Sequence, residues 1–151
     1  MRIVAITVIF LATACLAAAA PLAMAGAAVD TTQQKWATDE PLRVGMLAIR
    51  DLVRINHSLV THRRMPPDHA ARFARAIRAQ ADAILATSTV SGAARERLAE
   101  MLNEIVAGVE AVAGRSGGVS PMDGLIRVDE VLAVYPTLFE HPGWAPVQSL
   151  E

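Results

Sequence analysis

The sequence predicts an all-α protein, an antiparallel up-down four-helix bundle with an irregular C-terminal tail, preceded by a cleaved signal peptide. Four segments repeat apolar residues at helical spacing, and breaks rich in proline, glycine or serine separate them. No alternating run of apolar and polar residues is long enough to predict a sheet. Because short connections make neighbouring helices antiparallel, we expect up-down-up-down packing.

The first 25 residues have the order of a secretory signal peptide. Arg2 precedes an apolar stretch from Ile3 to Ala20, and the small-residue site Ala23-Met24-Ala25 follows. Cleavage there leaves 126 residues, the size of one domain, in a periplasmic or secreted protein. The alternative is an uncleaved anchor, since about 20 apolar residues span a membrane. Only then would the membrane be a partner.

Charge and cysteine content narrow the class of protein further. After residue 25 the chain carries 13 basic and 15 acidic side chains, so bulk electrostatics do not favour nucleic acid as a partner. The single cysteine, Cys15, lies in the leader. We therefore expect a domain that folds by packing, without a disulfide.

Residues 26–40 are predicted to be an N-terminal tether, and residues 41–151 to form the bundle with its aromatic tail. The first helix begins at Pro41, after the acidic Asp39 and Glu40, and ends near Thr61. Its inward stripe keeps helical spacing along the whole segment. The stripe consists of Leu42, Met46, Ile49, Val53, Asn56 and Val60.

The second helix is predicted from about Pro67 to Ala86, after a break that contains two prolines. Phe73, Ile77 and Ile84 lie on one line, with alanine at most other positions. Gln80 falls on the same line and needs a partner. Either the small side chains let helices approach closely, or they leave room for a ligand that Gln80 orients.

The third helix, about Ala93 to Ala113, has the cleanest stripe and ends at Gly114. The fourth begins with Ser120 as N-cap and Pro121 at its first position, and Pro136 is expected to stop it. Both helices have a predicted buried edge. These edges are Leu98, Met101, Leu102, Ile105, Val109 and Val112 in the third helix, and Leu125, Val128, Leu132 and Tyr135 in the fourth.

Up-down connectivity brings histidines and methionines to the end of the bundle where the first and second helices connect. Imidazole and thioether together suit copper, so these residues are candidate metal ligands. The alternative is a set of partly exposed histidines beside a basic turn, with the methionines filling the core. The candidate ligands are His57, His62, Met65, His69 and Met122.

At the opposite end the topology gathers most of the aromatic residues that follow the leader. One interpretation is a lid that closes the bundle; the other is a docking patch or a pocket for a flat ligand. The residues concerned are Trp36, Tyr135, Phe139, His141 and Trp144.

No sequence motif names a reaction. The chain lacks C-x-x-C-H for covalent haem, H-E-x-x-H and a glycine-rich phosphate loop. We therefore expect no enzyme, but an exported binding or accessory protein that contacts a protein partner or a small ligand in the periplasm. The alternatives are a copper or haem handling protein and a structural envelope component. The oligomeric state stays open.

Overall fold

The computed structural model describes residues 34–147 and contains four helices: α1 (Glu40–Thr61), α2 (Pro67–Thr87), α3 (Gly92–Val112) and α4 (Pro121–Leu138). The all-α fold class is confirmed. The predicted signal peptide, residues 26–33 of the tether and residues 148–151 of the tail lie outside the described residues. Within residues 34–147, none of the helices combines the length and apolarity needed to cross a membrane.

Side chains cap the starts of α1 and α4; the sequence predicts Ser120 as a cap but indicates Asp39 only as part of an acidic start. Asp39 accepts a hydrogen bond from the Leu42 amide at 3.0 Å, and Pro41 occupies the first turn. At α4 the Asp123 amide donates to the Ser120 hydroxyl at 3.1 Å. Each cap satisfies one of the amides that a helix start leaves without a partner.

The predicted stripes of α1, α3 and α4 are all buried, because apolar residues at helical spacing share one face. Gln80 of α2, which the helical pattern places on the buried face, is only half-buried. Three small residues, Ala70, Ala74 and Ala81, share the core with the large apolar side chains of α2. They move the centre of the buried face away from Gln80.

Two helix pairs approach closely at glycines. A β-carbon on Gly108 of α3 would lie 2.6 Å from the carbonyl oxygen of Gly124 in α4. A β-carbon on Gly45 of α1 would overlap the side chain of Ile84 in α2. These positions fix how near the helix backbones lie, a role that the sequence pattern did not reveal.

The C-terminal end of α4 and the tail after it differ from the prediction. Pro136 does not stop α4, which runs to Leu138, because the Phe139 amide still donates to the Tyr135 carbonyl. Nor is the tail wholly irregular. Strand β2 (Phe139–Glu140) pairs in parallel with β1 (Trp36–Ala37), with Trp36 opposite Phe139. This short pairing ties the tether to the tail.

Candidate functional site

A cavity of about 300 Å³ lies where the end of α1, the following loop, the end of α3 and the start of α4 meet. We call it the methionine cavity, after Met65 and Met122. Both side chains are half-buried. The lining residues are Leu59, Val60, Arg63, Met65, Val112, Ser120, Pro121 and Met122.

The walls of the methionine cavity are largely apolar, and Arg63 is the one charged residue among the eight that line it. The Ser120 hydroxyl is already engaged, since it donates to the Asp123 carboxylate at 2.8 Å. The Arg63 guanidinium forms no hydrogen bond or ion pair with any of residues 34–147. The charge of Arg63 is therefore the main polar feature offered to a ligand.

The backbone at Arg63 closes α1 in a left-handed conformation with φ 54°. The Arg63 amide donates to the Val60 carbonyl at 2.9 Å, and the Arg64 amide donates to the Leu59 carbonyl at 2.8 Å. This pair of bonds is the Schellman pattern that ends many helices, usually with glycine at the left-handed position.

The end of α3 forms the same pattern with glycine. Gly114 has φ 70°, and its amide donates to the Ala111 carbonyl at 2.9 Å. The next residue, Arg115, donates from its amide to the Glu110 carbonyl at 2.8 Å. The caps of α1 and α3 thus differ chiefly in having arginine or glycine at the left-handed position.

The three predicted histidine ligands have separate partners. His57 lies 3.1 Å from the Asp129 carboxylate of α4, measured from Nε2 to Oδ2. The exposed His62 lies 2.8 Å from the Ser58 carbonyl, measured from Nδ1. Burial raises the pKa of Asp129, although the nearby His57 partly opposes this.

His69 satisfies a buried amide. Its Nε2 lies 2.6 Å from Oδ1 of Asn56, the polar member of the α1 stripe, and Asn56 donates to the Leu52 carbonyl at 2.8 Å. Of the five predicted metal ligands, the fold brings only Met65 and Met122 together on the cavity wall. Among residues 34–147 there is no group of three or more His, Cys, Asp or Glu side chains arranged to hold a metal ion.

The aromatic end gathers all five residues that the topology placed there. Tyr135 and Phe139 are fully buried, with ring centroids 5.3 Å apart, and Trp144 lies 4.7 Å from Tyr135. Trp36 packs 5.3 Å from Phe139. The Tyr135 hydroxyl lies 2.9 Å from Nδ1 of His141.

This aromatic packing is that of a lid over the core. Burial raises the pKa of Tyr135, and burial together with the positive charges of Arg43 and Arg50 lowers the pKa of His141. Both shifts favour the neutral form of the group concerned. A partner approaching this end would meet the half-exposed Trp36, His141 and Trp144, not the two buried rings.

Asp39 is a structural centre that sequence reasoning recognised only as an acidic helix start. Besides capping α1, it accepts bonds from the Thr89 amide at 2.6 Å and the Ser88 hydroxyl at 3.1 Å. Burial alone would raise the pKa of Asp39, but the hydrogen bonds from Thr89, Leu42 and Ser88 outweigh it and lower the pKa. Asp39 thereby joins the start of α1 to the segment that follows α2.

Sequence reasoning also missed most of the cavity wall, including Leu59, Arg63 and Val112. The sequence contains one signal for this wall, namely apolar side chains at the ends of two helices. Up-down connectivity brings those helix ends together. Gln80 does not line the methionine cavity, and its side chain has no hydrogen-bond partner within residues 34–147. No protein-family model matches the chain, and no curated protein or solved structure is significantly similar to it.

Proposed function

We propose that the chain is an exported binding protein, periplasmic or secreted, that holds a small and mainly apolar ligand in the methionine cavity. It acts by contact and not by turnover. The observation that carries this proposal is a cavity of about 300 Å³ with largely apolar walls. This volume lies at the lower end of the range common for small-molecule sites. An apolar cavity of about 150 Å³ is enough for benzene, so about ten non-hydrogen atoms suit this one.

The two methionines support the same function. A thioether side chain is flexible and polarisable, so it adapts its shape to apolar ligands. Met65 comes from the loop after α1 and Met122 from the first turn of α4, so two separate segments can adjust around one ligand.

We infer the antiparallel up-down order of the helices from contacts between their ends. Asp39, before α1, bonds Ser88, which follows α2. His69, early in α2, bonds Asn56, late in α1. Close contact between Gly108 and Gly124 links the later part of α3 to the first turn of α4. In this order the methionine cavity lies at the end opposite Trp36 and Phe139.

Copper handling is the second candidate, supported by the convergence of Met65 and Met122 on one wall. Thioethers favour the reduced ion. The cation Arg63 lines the same cavity and repels a metal cation, whereas it does not oppose an apolar ligand. The apolar ligand is therefore the better supported of the two.

The test is calorimetric titration of the exported protein with 1-octanol, a neutral probe with nine non-hydrogen atoms. We expect one saturable site. Leu59→Trp places a large ring in the cavity and should abolish binding. The matched control is Leu85→Trp, since Leu85 is also a half-buried leucine but does not line the cavity. This control should bind 1-octanol like the unaltered protein.

Circular dichroism melts of both variants would confirm that they fold. Binding of 1-octanol that survives Leu59→Trp would place the probe elsewhere and contradict the proposal. Absence of a saturable site in the unaltered protein would do the same. Titration with Cu(I) against a competing chelator separates the second candidate, which requires tight binding that Met65→Leu weakens.

A further inference from the structure

Arg63, at the left-handed end of α1, has a strained backbone conformation, whereas its counterpart in α3 is a glycine and is not strained. For residues with a β-carbon, the left-handed conformation is strained, because the β-carbon lies too close to a carbonyl oxygen. Glycine has no such strain, and Gly114 occupies the equivalent position at the end of α3. Since the two caps share their hydrogen bonds, glycine would satisfy the same geometry at residue 63. The folded structure therefore does not require arginine there.

The side chain of Arg63 contributes instead to the methionine cavity. None of the eight lining residues is acidic, and Arg63 has no carboxylate partner among residues 34–147. The adjacent Arg64 is exposed in the same turn, and the Asp123 carboxylate beside the lining Ser120 already accepts a hydrogen bond from its hydroxyl. An arginine guanidinium binds a carboxylate through two parallel hydrogen bonds, which fixes the orientation of an anionic ligand.

We propose that the ligand is a small anionic amphiphile whose carboxylate binds Arg63 while its apolar body contacts Met65, Met122 and Val112. This inference rests on the proposed function of the cavity and adds the chemical class of the ligand. The cavity volume limits the apolar body to about eight carbons, on the same comparison with benzene. The backbone cost at residue 63 is then offset by binding, as is common where strain lies at a functional site.

The test compares two probes with the same chain, octanoate and 1-octanol, in calorimetric titrations. The unaltered protein should bind octanoate at least tenfold more tightly. Arg63→Gly removes the charge and relieves the left-handed backbone, so it should weaken octanoate by a factor at least ten times larger than any change in 1-octanol affinity. Its melting temperature should equal or exceed that of the unaltered protein, which excludes unfolding as the cause.

Arg64→Gln is the matched control. It removes an equal charge from the next residue along the chain, whose side chain does not line the cavity. It should change octanoate affinity less than threefold. If Arg63→Gly and Arg64→Gln weaken octanoate equally, the turn acts only through its net charge and the role of Arg63 is overturned. If the unaltered protein binds both probes equally, the carboxylate inference fails while the cavity proposal stands. If neither probe binds, both fail.

Discussion

The aromatic end and the methionine end of the molecule are built in opposite ways. At the aromatic end Tyr135 and Phe139 are fully buried, and Asp39 joins α1 to the segment after α2. At the methionine end a cavity remains, and Arg63 holds a left-handed backbone conformation. A largely apolar cavity and a strained backbone thus lie at the methionine end, whereas the aromatic end combines buried rings with a more polar cleft of about 360 Å³ beside Asp39 and Trp36. Such a division is expected when one end closes the fold and the other binds.

The largest expected difference between the two ends is the cost of truncating a side chain. Phe139→Ala removes a fully buried ring and should lower the free energy of unfolding by about 3–5 kcal/mol. Met122→Ala removes a half-buried side chain that borders existing open space, and should cost about 1 kcal/mol or less. Urea unfolding at pH 7 measures both. Equal costs would break the contrast between the ends.

Removing the cap of α1 should destabilise the protein more than removing the cap of α4. Asp39→Ala removes the α1 cap together with the bonds from Ser88 and Thr89, so we expect a loss of about 2 kcal/mol. Ser120→Ala removes one cap bond and should cost about 1 kcal/mol. The same urea unfolding experiment compares them, and a Ser120→Ala cost above that of Asp39→Ala would contradict this account.

The stabilisation that the Asp39 carboxylate contributes should be lost at acidic pH. Because its folded-state pKa is lowered, its charge stabilises the fold at pH values above the unfolded pKa of about 3.9. That stabilisation is lost as the pH falls through the lower folded-state pKa. We expect the stability difference between the unaltered protein and Asp39→Asn to be constant from about pH 5 to 7 and to shrink below about pH 4. A difference that stays constant to about pH 3 would refute the assignment.

The smallest expected effects on stability come from substitutions at the left-handed ends of α1 and α3, and these effects have opposite signs. Gly114→Ala forces a β-carbon into the left-handed region and should destabilise the protein by about 1 kcal/mol. Arg63→Gly removes such a β-carbon and should stabilise it by up to about 1 kcal/mol. Thermal melts compare the two variants with the unaltered protein. Destabilisation by Arg63→Gly would mean that arginine serves the fold.

The sequence predicted the helices well because apolar spacing and helix caps are local signals. Pro121 and Gly114 mark a start and an end directly, and the α3 stripe around Leu102 is fully buried. The prediction for Pro136 was wrong because this proline removes only its own amide hydrogen bond, while the Phe139 amide still donates to the Tyr135 carbonyl and extends the helix to Leu138. The sequence overestimated the burial of Gln80, because alanines of α2, which give a weak apolar signal, occupy the core positions.

The candidate site was less accessible to sequence reasoning. The methionine cavity is a space between four segments, and its existence depends on how their side chains pack. Met65 and Met122 line one cavity, but the sequence pattern groups them with histidines that have other partners. Arg63 gave no local signal, because a left-handed helix end without glycine or asparagine is not visible in the sequence.

Chemical-shift mapping with 1-octanol tests the central claim most directly, because it reports where a ligand contacts the folded protein. The isotope-labelled exported protein is titrated while its backbone amide signals are followed. We predict that the largest shifts fall in residues 59–65, 112, 119, 120 and 122, and that the indole signals of Trp36 and Trp144 stay unchanged. Shifts concentrated at the aromatic end, or none at saturating probe, would contradict the assignment of the methionine end as the binding end.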